Sequence, residues 1–177
     1  MESLLALDQQ LFLVLNHLPH TPFLDGLAQF FSGLGNAGIV WFVLGVILFI
    51  REEKKDHNFF MPILLAVGAS WILVEKITKP LVARSRPALE LGAIIIGDGQ
   101  TDFSFPSSHA TIAWAMATLF AAKEPRWRWV FFVLAAFISF SRIYLGKHYP
   151  FDVVAGGLLG WGIGTVIIRK VGIIRTW

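Results

Sequence analysis

Three groups of chemically capable residues stand at the margins of apolar runs in this chain. They are Lys79 with Arg86, then Pro106-Ser107-Ser108-His109, then Arg142, His148 and Asp152 within the stretch 141–152. Ionisable side chains beside apolar segments are costly unless they face a polar cavity or one another, so a set of them points to function. Lysine and arginine neutralise a phosphate, and arginine adds planar two-point hydrogen bonding. A serine just after a proline, opening a helix, offers its hydroxyl and the first free backbone N–H groups to an anion. Of two histidines, one attacks phosphorus as neutral imidazole while the other, protonated, donates to the leaving oxygen. An aspartate four residues after a histidine is placed to accept its other N–H and fix the tautomer, as Asp152 is to His148. Cations, hydroxyls, two imidazoles and one carboxylate are what phosphoryl transfer without a metal requires.

The elements that must bring these residues together are apolar. The chain has 177 residues, of which 55% are hydrophobic, and a mean hydropathy of +0.64, against about 45–50% apolar residues in a soluble domain. It reads as a membrane protein, a single membrane-embedded domain over 1–177 in contact with the lipid bilayer. Cysteine is absent, which excludes disulfides, thiolate metal sites and cysteine nucleophiles. The acidic opening with Glu2 and Asp8 lacks the basic region of a cleavable signal.

Residues 3–18 alternate leucines with Asp8, Gln9, Gln10 and Asn16, too polar to span and suited to an amphipathic helix at the interface. Pro19 and Pro22 end it. Apolar runs over 29–50, 59–77, 107–122, 127–144 and 150–170 predict five spans, with the N-terminal helix a sixth if it crosses. The third is short, and Lys123 at its end is placed to extend it by snorkelling. Because spans alternate in direction, the exit of the second, the entrance of the third, the exit of the fourth and the entrance of the fifth share one membrane face. Those ends carry Lys79, His109, Arg142 with His148, and Asp152. The opposite face holds Arg51, Lys54, Lys55, Lys123, Arg126, Arg128, Arg169, Lys170 and Arg175. Basic loops stay cytoplasmic, so the cluster is expected to face the periplasm or exterior.

Lys-x6-Arg-Pro at 79–87, Pro-Ser-x-His at 106–109 and Ser-Arg-x5-His-x3-Asp at 141–152 together resemble the three-part signature of the type-2 phosphatidic acid phosphatase family, which includes integral membrane lipid phosphatases. The resemblance implies an all-α polytopic transmembrane bundle. It makes His148 the nucleophile that becomes phosphohistidine, Asp152 its orienting partner and His109 the general acid. Lys79, Arg86, Ser107, Arg142 and the backbone N–H of Ser108 would hold the phosphate. Ser108 stands where the family usually has glycine, which matters if that position needs a backbone angle reserved for glycine. No metal, cofactor or nucleic-acid partner is implied.

The expected substrate is a membrane lipid phosphate or diphosphate. Small bacterial members that act on undecaprenyl diphosphate are similar in build, and others act on phosphatidylglycerol phosphate or phosphatidic acid. A different class remains open: a protein that binds or transports an anionic lipid without cleaving it. Vanadium haloperoxidases share the signature but are soluble, unlike this chain. Outside the signature, Arg84 and Lys147 read as interfacial anchors, and Glu75 as an ion-pair partner positioning Lys79 one turn later. Glu90, Asp98 and Asp102 read as a solvated acidic loop, a candidate lid, and His17, His20 and His57 as structural.

Overall fold

The computed structural model describes residues 2–51, 59–97 and 101–171. Lys54, Lys55, His57, Asp98 and Arg175 lie outside them. Among the described residues every regular element is helical. The α-helices are α1 (Glu2–Asn16), α2 (Pro22–Leu34), α3 (Ile39–Arg51), α4 (Phe60–Trp71), α5 (Lys79–Val82), α6 (Ser108–Lys123), α7 (Arg128–Tyr144) and α8 (Pro150–Val171).

α6 is the axis of the bundle. Its composition gives it no preferred face, and 11 of its 16 residues are buried, as expected of a helix that is apolar all round and enclosed by others. α4, α7 and α8 pack around it, and α2 packs against α7. α8 approaches most closely because it presents glycine every fourth residue. A Cβ added at Gly156 would lie 2.6 Å from the Ser107 carbonyl oxygen, one at Gly164 2.8 Å from that of Ala115, and one at Gly160 would strike the Thr111 carbonyl. Small residues at this spacing let two backbones meet without intervening side chains.

The expected second span is longer than its apolar run suggested, because α4 continues through a π-helical stretch (Ile72–Thr78) into α5. Inside that stretch the Thr78 hydroxyl donates to the Leu73 carbonyl at 2.7 Å. Phe60–Val82, Pro125–Tyr144 and Pro150–Val171 are each long and apolar enough to cross a membrane. With structural relatives described below, this makes the chain an integral membrane protein.

The expected uninterrupted span over 29–50 is instead two helices, α2 and α3, bent by 66° at a 3-10 turn, Asn36–Gly38. They would supply a fourth crossing if counted as one. Gly38 has φ +72, a conformation in which a side chain is strained. At Gly35 a Cβ would lie 2.7 Å from Ile138 Cγ2 and 2.9 Å from His109 Cδ2. Gly35 and Gly38 therefore make a corner, and the corner sits against His109.

Two further expectations change. Lys123 does not snorkel outward: it is 1% exposed and lies over the Phe59 ring, 5.2 Å from its centre. α1 turns Asp8 and Asn16 inward, while Gln9 and Gln10 stay exposed. Asp8, Phe12 and Asn16, one turn apart, are fully buried while Leu4, Leu5, Leu7, Leu11 and Val14 are exposed. Asn16 donates to the carbonyls of Ile94 and Tyr144 at 2.9 Å each and accepts from the Ile94 N–H at 2.8 Å, so α1 is fastened to the end of α7 by hydrogen bonds as well as by apolar contact.

Candidate active site

Four helix ends and one loop meet on one side of the bundle, as the alternation of spans predicts. α5, which ends the second span, supplies Lys79 as its first residue and, after a turn, Arg84 and Arg86 follow. The turn closes at Ala83, whose φ of 49 is the one positive value among described non-glycine residues and whose N–H bonds the Lys79 carbonyl at 2.8 Å. α6 begins at Ser107, which caps it by accepting from the Ala110 N–H. The Ser107 N–H in turn donates to the Asp152 carbonyl at 3.0 Å, tying the start of α6 to the start of α8. Between α7 and α8 the chain reverses through Gly146, φ +72, where a side chain would also meet the Ile94 carbonyl. That reversal presents His148.

Arg86 NH1 lies 3.1 Å from His148 Nε2 and donates to the Lys147 carbonyl at 2.6 Å. Guanidinium has no acceptor, so Nε2 holds a lone pair toward Arg86 and the neutral ring carries its proton on Nδ1. Nδ1 faces Asp152 Oδ2 at 3.6 Å, near but outside hydrogen-bonding distance. His148 is 1% exposed. Burial pushes its imidazole well below the ordinary range, and Arg86, Arg142 and Lys79 push the same way. Nε2 is thus a neutral, lone-pair-bearing nitrogen among cations.

The other cations converge on the same space. Arg142, 4% exposed, donates to the Ser32 hydroxyl on α2. Arg142, Arg86 and Lys79 stand close enough to act electrostatically on His109, whose Nε2 contacts Asn36 Oδ1 at 2.9 Å. Asn36 comes from the α2–α3 corner, so the bend that the apolar run concealed delivers a partner to His109. Lys79 pairs with Glu75 at 2.7 Å, as its one-turn spacing predicts, and the Ser108 hydroxyl bonds the same carboxylate. Ser108 is the first residue of α6 with an ordinary helical backbone, so serine in place of glycine causes no strain here. Ser107 is fully buried, and its hydroxyl caps the helix.

Asp102 is more than a solvated loop residue. Its carboxylate bonds both Lys79 and Arg86, the latter at 2.9 Å. Burial pushes this carboxyl upward, but the hydrogen bond from Lys79 and the charge of Arg86 outweigh it and hold it below the usual carboxylate range. An anion therefore already bridges the two cations. Arg84 and Lys147 are not interfacial anchors either. Lys147 is 7% exposed, and Arg84 bridges Asp8 at 2.7 Å and Asp152 at 2.6 Å. Sequence reasoning missed Asp8, Arg84, Asn36 and Asp102. The signal for Asp8 was present, as a carboxylate in a leucine-rich helix one turn before Phe12 and two before Asn16. Among the described residues no His, Cys, Asp and Glu group has the arrangement of a metal centre.

The PAP2 superfamily model matches residues 59–174, which include all three signature segments. An undecaprenyl-diphosphatase of Sulfolobus acidocaldarius is 29% identical over 178 residues, covering 98% of this chain and 84% of the relative. A lipid A 4'-phosphatase of Bacteroides thetaiotaomicron is 33% identical over 172 residues, covering 90% and 74%. The crystal structure of Aquifex aeolicus LpxE superposes with a TM-score of 0.72 at 29% identity, covering 91% of this chain and 94% of that one. A transmembrane PAP2-type phosphatidylglycerolphosphate phosphatase from Bacillus subtilis, 21% identical, shares the fold with a TM-score of 0.76 over 96% of this chain and 86% of its own.

Proposed function

This chain belongs to the PAP2 superfamily and is a lipid phosphatase, and we propose that it removes the terminal phosphate of undecaprenyl diphosphate through a phosphohistidine on His148. The observation that carries the mechanism is the orientation of His148, with Nε2 turned into the cation cluster and Nδ1 toward Asp152. In the first step the Nε2 lone pair attacks the terminal phosphorus. The bond from phosphorus to the leaving oxygen breaks, and His109 protonates that oxygen. Lys79, Arg86, Arg142 and the N–H groups at the start of α6 hold the equatorial oxygens, where charge accumulates. Water then attacks the phosphohistidine, His109 takes its proton, and the phosphorus–nitrogen bond breaks to release inorganic phosphate. No step calls on a metal, since the cations carry the charge. Before the phosphate enters, Asp102 must yield Lys79 and Arg86.

The undecaprenyl assignment is supported by the near full-length likeness to a relative of that activity. Phosphatidylglycerol phosphate and phosphatidic acid are the alternative substrates. A binder that does not cleave is the less economical reading, because holding an anionic lipid needs the cations but not two histidines and an aligned carboxylate.

We further propose that the whole chain is one domain in a bacterial cytoplasmic membrane, with the site facing outward. Arg51, Lys123, Arg126, Arg128, Arg169 and Lys170 stand at helix ends or turns away from the cluster, as the positive-inside rule favours for a cytoplasmic face. α6, at 16 residues or ~24 Å, is short for a span. It still bridges the two faces, because it runs from the site to the start of the long helix α7, and its neighbours shield it from lipid. That makes five crossings, with α1 a sixth or lying beside them.

The test is phosphate release in detergent and excess chelator from undecaprenyl diphosphate, phosphatidylglycerol phosphate, phosphatidic acid and phosphorylated lipid A. We expect the first to be turned over fastest and His148→Ala to abolish release. Full activity in that variant would remove the mechanism, and a strong preference for another lipid would replace the substrate.

A further inference from the structure

A run of charge lies behind His148, on the Nδ1 side of its ring and away from Nε2. Asp8 on α1 is fully buried. Its Oδ2 accepts from Arg84 NH2 at 2.7 Å and its Oδ1 from the Phe151 N–H at 2.9 Å, in the first turn of α8. Arg84 donates through NH1 to Asp152 Oδ1 at 2.6 Å, and its guanidinium lies 4.1 Å over the centre of the Tyr149 ring. Asp152 is also fully buried. Its Oδ2 accepts from the Tyr149 N–H at 2.9 Å and is the oxygen that faces His148 Nδ1.

The charge balance gives this chain of contacts a purpose. When Nε2 bonds to phosphorus the imidazole becomes a cation, and Asp152 must offset that charge in a site already crowded with Lys79, Arg86 and Arg142. A guanidinium bonded directly to Asp152 would cancel the carboxylate if it stood alone. Asp8 restores the balance: two carboxylates and one guanidinium sum to a single negative charge, with Oδ2 left to address the histidine. The two-sided grip on Arg84 also fixes the plane of the Asp152 carboxylate.

We infer that Asp8 is a positioning residue for the phosphatase reaction, acting through Arg84 to hold Asp152 in place and keep its charge available to His148. α1 is thereby part of the catalytic assembly, not only a support for it. This rests on the phosphatase reading of the site. The competing explanation is a staple that merely holds α1, since breaking a buried ion pair by removing one partner is destabilising in itself.

Three variants separate the two: Asp8→Asn, Arg84→Met, and the pair combined. Each is purified in detergent beside the wild type, and kcat, KM and melting temperature are measured with the preferred lipid. Asp8→Asn leaves an uncompensated guanidinium on Asp152, and we expect kcat to fall by about 10–100-fold, the range for outer partners of active groups, with KM within about two-fold. Adding Arg84→Met removes that guanidinium and should raise kcat at least about three-fold above Asp8→Asn, an order that electrostatic compensation requires. A simple staple predicts a further loss in the double variant. The proposal is overturned by Asp8→Asn within two-fold of wild type, or by a double variant slower than Asp8→Asn. Should Asp8→Asn not fold, Arg84→Met decides: Asp8 acts on Asp152 only through Arg84, so a kcat within two-fold of wild type in that variant overturns the proposal. A wild type that releases no phosphate from any lipid faults the phosphatase reading and this inference together. A wild type that does, with Asp8→Asn unaffected, faults this inference alone.

Discussion

The surroundings of His148 set its protonation state. The ring is buried, it faces Arg86, Arg142 and Lys79, and Asp152 is the carboxylate behind it. These surroundings hold it neutral well below the usual imidazole value of about 6.5. If His148 is the nucleophile as proposed, lowering the pH from 7.5 to 6 should leave kcat/KM on its plateau, because its imidazole takes up no proton in that window. A half-loss centred near pH 6.5 would mean an ordinary, solvated imidazole. The linkage has a definite sign: below about pH 6.5 the unfolded chain takes up a proton that the folded site refuses, so folding stability falls as the pH falls. At this scale the signature residues were legible, because cations, serines, histidines and an aspartate are conspicuous beside apolar runs. Their supporting partners were not. Asp8 and Arg84 are 76 residues apart in sequence, as are His109 and Asn36 at 73, and no local pattern encodes a contact that only the closed bundle makes.

Helices decide whether those residues meet. α6 and α8 carry His109 and Asp152 on adjoining first turns, and the contact depends on backbone meeting backbone at Gly156, Gly160 and Gly164. Gly160→Ala places a methyl group against the Thr111 carbonyl, which cannot retreat without shifting α6. The variant should lose about 1–3 kcal/mol, typical of overpacking, seen as a lower melting temperature in detergent together with reduced kcat. An unchanged melting temperature would show that the helices are held apart by something else. The positions of most helices could be read from the apolar runs, since α6, α7 and α8 begin and end within a residue or two of the expected limits. The α2–α3 corner could not, because hydropathy averages over a bend as easily as over a straight span. Glycine at 35 and 38 fits either close packing or a turn until the neighbours Ile138 and His109 are known.

Across the whole molecule, the helices converge their polar ends on one side and turn leucine, isoleucine, valine and phenylalanine outward elsewhere. Span alternation made that convergence predictable, because each helix ends on a known face once its neighbours are counted. The inward-turned polar stripe of α1 was harder to foresee, since the same pattern of leucine and carboxylate suits a helix at the interface. In the proposed mechanism this assembly makes one nitrogen, Nε2 of His148, the phosphoryl acceptor. The most direct test is to quench turnover of a phosphate-labelled lipid in alkaline detergent, which preserves phosphohistidine, and to locate the label by peptide mass spectrometry. The account predicts label on His148 in the wild type, accumulating when His109→Ala slows water attack, and no label in His148→Ala. Label on another residue, or rapid phosphate release by His148→Ala, would contradict it.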